Sequence, residues 1–225
     1  MNLARNESET PEVSVAERVR AHVSRMSLGE PFSVRELLGL GPRASIDQAL
    51  SRMARGGEIE RVARGFYARP QVNERLGRAV PVAPEKIVAA IARTAGARVN
   101  VHGAEAARRF GLTTQVPMRK VYATTGRSRS VELPTGKVTF VHSTPSRMGL
   151  AGTPAGEALS ALLYLGRSEV TPSVVEAVRT KLGEEQFEAL RSAAATTAMP
   201  SWLSDSLYEV AGTQSATRTR TALSA

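Results

Sequence analysis

Between residues 32 and 68 the spacing of apolar positions changes twice, and each change predicts an element. Val34, Leu37 and Leu38 recur at helical spacing behind Ser33, which has Glu36 three residues on. That pairing is a capping box and predicts a helix opening at Ser33. Gly39 and Gly41 end it and Pro42 begins a turn, since glycine tolerates the required backbone and proline fixes it. Ile46, Ala49, Leu50 and Met53 then fall on one face, predicting a second helix over 43–55 with that face inward. Gly56-Gly57 stops it. Glu58 to Val62 alternates with period two, Ala63-Arg64-Gly65 makes a tight turn, and Phe66-Tyr67-Ala68 returns, which predicts a hairpin. Upstream, Ser14 and Glu17 form another capping box before Val15, Val19, Val23 and Met26, predicting a helix that packs behind the other two.

Further along, Pro70, Pro81 and Pro84 mark 71–83 as a linker, with a second domain starting at Pro84. Ile87, Val88 and Ile91 predict a helix over 85–94, with Pro84 in its first turn. Short strands are predicted over 98–102, 120–125, 127–133 and 137–142, with a short helix over 103–110 and a Pro134-Thr135-Gly136 turn. From Thr153 the pattern turns helical: 154–165, 172–182, 184–195 and 202–210. The predicted class is therefore α+β, an N-terminal winged helix-turn-helix followed by a small mixed-sheet domain with C-terminal helices. Its parts are a mobile N-terminus over 1–13, a DNA-binding domain over 14–70, the linker, an α/β domain over 84–210 (strand-rich 98–142, helical 153–210) and a disordered tail over 211–225.

In a winged helix-turn-helix the second helix of the turn motif enters the DNA major groove. Here that helix has its inward face filled, so the opposite face carries Arg43, Ser45, Gln48, Arg52 and Arg55, residue types that bond to phosphates and base edges. Arg61 and Arg64 lie on the hairpin, where a wing meets the sugar-phosphate backbone. Charge strengthens the picture through its placement. Of the net +9, residues 14–70 hold ten arginines against six acids and residues 71–142 hold twelve basic residues against four acids, while residues 143–225 hold seven against eight. A polyanion such as double-stranded promoter DNA is the natural partner. Arg119, Lys120, Arg127 and Arg129 in the second domain extend the phosphate contact or face an acidic partner protein.

Candidate chemistry is sparse. There is no cysteine, which excludes disulfides and thiolate chemistry and suits a cytoplasmic protein. No stretch approaches the ~18 apolar residues of a membrane span, and the polar N-terminus predicts no signal peptide. The only aspartates are Asp47 and Asp205, too separated in the chain to suggest the clustered carboxylates of a metal nuclease. His22 sits in a helix without other ligand types. His102 and His142 both end predicted strands; local bonding at each strand end outweighs a catalytic or metal pair. Gly149-Leu150-Ala151-Gly152 lacks the lysine and hydroxyl of a phosphate-binding loop. The expectation is a non-enzyme with no cofactor, no metal and no membrane partner. A second reading is a ligand-responsive winged-helix regulator, for which Asn100, His102, Tyr122 and His142 are the available pocket residues.

Two segments carry a resemblance. RVARGFYARP (Arg61 to Pro70) resembles the wing of the AbiE-type antitoxins, the AbiEi-like transcriptional-regulator halves of type IV toxin–antitoxin systems. The run from Val101 to Leu133 resembles that family's second domain, with Gly111 to Pro117 standing where its glycine-leucine-threonine/serine-threonine-glutamine-valine-proline stretch stands and Val121 to Thr124 as the strand that follows. The C-terminal helices match less closely. The resemblance implies a repressor of its own operon that counteracts a cognate nucleotidyltransferase-like toxin. A monomer on each half of an inverted repeat, with copies meeting on DNA, and a weak dimer are both compatible with it.

Overall fold

The computed structural model describes residues 13–75, 77–196 and 199–210. The expectations for 211–225 and for all but the last residue of 1–13 lie outside them. The chain is α+β and divides into two compact units, one running to Thr94 and the other from Ala95, with Leu133–Thr135 grouped with the first.

The first unit opens with α1 (Val15–Ser24), whose capping box is formed: the Glu17 N–H donates to Ser14 Oγ (3.2 Å) and the Ser14 N–H to Glu17 Oε2 (2.9 Å). The Ser14 hydrogen bond holds the Glu17 carboxyl below its ordinary value. Strand β1 (Phe32–Ser33) leads into a 3-10 helix, Val34–Leu40, where an α-helix was expected. Three residues per turn put Val34, Leu37 and Leu40 in one row. Leu38, grouped with Val34 and Leu37 by its helical spacing, is thrown outward and is 45% exposed. Ser33 still anchors the start, its N–H and hydroxyl both donating to Glu36 Oε1 at 3.0 Å. The turn into α2 (Arg43–Arg55) passes close to α1. Gly41 has φ +154, and a Cβ there would lie 2.7 Å from Val15 Cγ2, so the position must be glycine for α1 to pack this near.

Helix α2 matches its predicted bounds, and Ile46, Ala49, Leu50 and Met53 are its buried residues. They join Val19, Val23, Leu37 and Ile59 in one aliphatic core, each large side chain contributing about 1.5–3 kcal/mol relative to exposure. The hairpin is β2 (Glu60–Ala63) and β3 (Phe66–Ala68), shorter at its start than predicted, and β1 adds to β3 to make a three-stranded antiparallel sheet.

Residues 71–83 are not a plain linker. β4 (Gln71–Asn73) and β5 (Arg78–Val80) pair antiparallel. The prolines at 70 and 81 flank this ribbon and cost it no ladder bond. Helix α3 (Pro84–Thr94) was expected to begin the second domain but belongs to the first unit. Its Arg93 Nη2 donates to Pro31 O at 3.2 Å, and Lys86 pairs with Glu30 at 3.5 Å, so it is fastened to the segment leading into β1.

The second unit contains a mixed sheet of β6 (Val99–Val101), β7 (Lys120–Thr124), β9 (Gly136–His142) and β8 (Arg129–Leu133), in that order. β6 runs antiparallel to β7, and β9 runs parallel to it. α4 (Gly103–Arg109) follows β6, and α5 (Pro154–Leu165), α6 (Pro172–Leu182), α7 (Glu184–Thr196) and α8 (201–210) complete the unit. Thr153 and Thr171 cap α5 and α6 through their hydroxyls. Leu159, Leu162, Val178, Phe187, Leu190 and Leu207 form the helical core.

Candidate nucleic-acid interface

Because one face of α2 is spent on the core, its other face must meet solvent. Arg43, Gln48, Arg52 and Arg55 are exposed there, and Ser45 is half-buried. Arg43 is paired with Asp47, Nε to Oδ2 at 2.9 Å, one turn on. Arg52 Nη2 reaches Gln48 Oε1 at 3.4 Å, and Arg55 Nε reaches the Ser51 carbonyl at 3.4 Å. Neither Arg52 nor Arg55 has a carboxylate partner among the described residues. Their charges sit in the last turn, where the helix dipole favours them, and remain available to an outside anion. Arg61 faces solvent on β2, opposite Tyr67, and Arg64 is exposed in the β2–β3 turn.

Two other arginines hold this surface in place. Arg69 Nη1 donates to the carbonyls of Ser24 (2.8 Å) and Met26 (2.7 Å) at the end of α1. Ser24 closes α1 and Met26 follows its cap, so Arg69, the residue after β3, fastens the hairpin to the end of α1. Arg20 binds Glu58 through Nε (2.9 Å) and Nη2 (3.1 Å), joining α1 to the turn after α2. The hydrogen bond to Glu58 raises the Arg20 pKa. No local pattern in the sequence signals either contact; both join residues far apart in the chain.

The second-unit cations are distributed along the sheet. Arg119 and Lys120 stand at the start of β7, while Arg127 follows its far end. The strand alone separates them by about 13 Å, more than the ~8 Å screening length at physiological salt. Arg129 lies over the Phe140 ring at 5.7 Å. The four residues are thus spread along the sheet and not gathered at one point.

The residues weighed as a ligand pocket do not converge either. Asn100 is buried, and its Nδ2 is spent on Gly156 O (2.7 Å) and Ser160 Oγ (2.9 Å), fixing β6 to α5. Tyr122 is buried beside Phe140. His102 occupies the N-cap position of α4 without a side-chain capping bond and stands edge-on to Tyr164, whereas His142 bonds through Nδ1 to Gly126 O at the other end of β7. His102 borders two shallow clefts. One, of about 200 Å³, includes Ala123, Met148 and Tyr164; the other, of about 330 Å³, includes Pro117, Met118 and Val121. No three His, Cys, Asp or Glu residues among those described come together as a metal site.

Much of the run that follows β6 is explained by packing. Gly103 lies against α5, where a Cβ would come within 2.7 Å of Ser160 O and closer still to Tyr164. Ala106 and Ala107 are fully buried. Glu105 takes Arg108 at 2.7 Å and Arg109 at 3.1 Å, and Arg109 also reaches Glu157 on α5 at 3.2 Å. The Arg108 hydrogen bond pulls the Glu105 carboxyl below its ordinary value. Burial opposes the Arg109 charge, but Glu105 and Glu157 together raise its pKa.

No helix among the described residues is long and apolar enough to cross a membrane. The chain is an α+β protein and belongs to the family of unknown function DUF6088, whose model matches residues 18–190. No curated protein matches it. Among solved structures it is similar to the RV2827C protein from Mycobacterium tuberculosis, at 14% identity and a TM-score of 0.38, over 88% of this chain and 82% of that one.

Proposed function

We propose that the first unit is a winged helix-turn-helix and that the chain is a transcriptional autorepressor binding double-stranded promoter DNA. The observation that carries this reading is α2. Its apolar face is closed into the core, while its solvent face offers Gln48, Arg52 and Arg55 without an acid to neutralise the arginines. Arg52 and Arg55 read base edges or phosphates in the major groove, with Arg43, Ser45 and Gln48 along the same helix. Arg61 and Arg64 on the hairpin hold the backbone. The chain acts as a binding protein, not an enzyme, and needs no cofactor for this.

The resemblance of Arg61–Pro70 and Val101–Leu133 to AbiE-type antitoxins supports a further role. On that reading the protein is the antitoxin of a type IV system in the cytoplasm and counteracts a nucleotidyltransferase-like toxin. It binds as a monomer or weak dimer, copies meeting on inverted repeats.

Titrating the full chain against its own upstream DNA and a scrambled duplex tests the DNA reading. A preference for the native sequence of at least about a hundredfold is expected. Equal affinity for both duplexes would leave only a basic surface and overturn the assignment.

A further inference from the structure

The 3-10 geometry of Val34–Leu40 decides more than which side chains enter the core. With Val34, Leu37 and Leu40 in the inner row, Arg35 and Leu38 share the next one, and both are exposed. The start of this helix is fastened to the hairpin turn. Ser33 pairs with Phe66, and the Val34 N–H donates to Gly65 O at 3.0 Å. One step beyond that bond, on each chain, stands an exposed arginine: Arg35 on the helix and Arg64 in the turn. Neither has an ion pair or a side-chain hydrogen bond among the described residues. The nearby acids are taken or turned away. Glu36 accepts both the N–H and the hydroxyl of Ser33 at 3.0 Å, Glu58 is held by Arg20, and Glu60 pairs with Ala68 at the end of the hairpin away from the turn. Two guanidiniums on adjoining backbone repel one another, and both gain from one anion placed between them.

We propose that Arg35 and Arg64 clamp a single backbone phosphate of duplex DNA at the edge of the groove that α2 enters. The inference rests on the DNA-binding reading and adds Arg35 to it. The helix that bears Arg35 runs through Gly41 and Pro42 directly into α2, so the clamp sits on the element that precedes Arg52 and Arg55. A phosphate diester is the anion that a groove-binding helix brings to its flank, and the planar fork of arginine matches its oxygens. The clamp reads no base. It fixes the register in which α2 meets the bases, since phosphate contacts position a protein and base contacts specify its site.

The test titrates the full chain against its own upstream duplex and a scrambled one at several salt concentrations, for the wild type, Arg35→Ala, Arg64→Ala and the double variant. Arg35→Ala should lose affinity several-fold, by the same factor on both duplexes. Arg35→Lys, which keeps the charge, should lose less. The double variant should lose less than the product of the two single losses, because one phosphate is shared. Its salt slope should be shallower than that of the wild type by ~0.9 in all. Both side chains are exposed and unbonded, so the melting temperature should not change. Unchanged affinity and slope in Arg35→Ala overturns the clamp. So does a loss confined to the native duplex, which would make Arg35 a reader of bases. Losses that multiply in full, with a slope shallower by ~1.8, assign two separate phosphates and overturn the shared clamp. A wild type with no preference for the native duplex overturns the DNA-binding reading itself. A wild type with that preference, beside an indifferent Arg35→Ala, overturns the clamp alone.

Discussion

Helices α2 and α4 both carry two arginines in their last turn, Arg52 and Arg55 on one and Arg108 and Arg109 on the other. On α4 the guanidiniums are committed. Glu105 holds both, and Glu157 of α5 takes Arg109 as well, so their charge fastens one helix to another. On α2 the same residue type meets only a glutamine side chain and a backbone carbonyl, at 3.4 Å each. An arginine's meaning thus depends on whether a carboxylate has already claimed it. The α4 pair contributes to stability, and the α2 pair is open to a polyanion.

Removing the platform under α2 gives the largest effect. Leu50 is fully buried beneath that helix, and Leu50→Ala is expected to cost about 2–5 kcal/mol, read as a lower urea midpoint together with weaker DNA binding. Next come the arginines themselves. Arg52→Ala and Arg55→Ala are each expected to weaken native-DNA binding by ~1–3 kcal/mol with no change in urea midpoint. Arg108→Ala should leave DNA affinity within about twofold, too small a change for a residue that reads a base. A matching drop in affinity there would erase the distinction between the helices. Arg109→Ala should reverse the pattern, lowering stability by about 1 kcal/mol, since the pair is partly exposed, with DNA affinity kept. The smallest effect is one of pH. The carboxyl of Glu105 is depressed in the fold, so its contribution is complete above its ordinary value of 4.5 and is lost as the pH falls below that, through the depressed folded value. The stability difference between wild type and Glu105→Gln should accordingly shrink on acidification and be flat from pH 5 to 7.

The two faces of α2 were legible in the sequence because its apolar spacing has the period of a regular helix. The Ser33–Leu40 segment was legible as a capped helix but not as a 3-10 one. Val34 and Leu37 suit either geometry, and only the structure shows Leu38 turned out. The β4–β5 ribbon was hidden by prolines that flank strands as readily as they break them. What no local pattern discloses is partnership across the chain. Arg109 meets Glu157 forty-eight positions away, and Arg69 reaches the end of α1 forty-three or more positions back. Without those partners Arg69 and Arg109 look the same as Arg52.

The availability of the α2 arginines is tested most directly by the salt dependence of binding to native upstream DNA, for the wild type and for the Arg52→Ala/Arg55→Ala variant. The account predicts that wild-type affinity falls steeply with salt. In the variant affinity should be lower throughout. Its slope should be shallower by ~0.9 for each phosphate no longer neutralised, or its preference over scrambled DNA reduced if the arginines read bases. Identical affinity, slope and preference in the two proteins would contradict it.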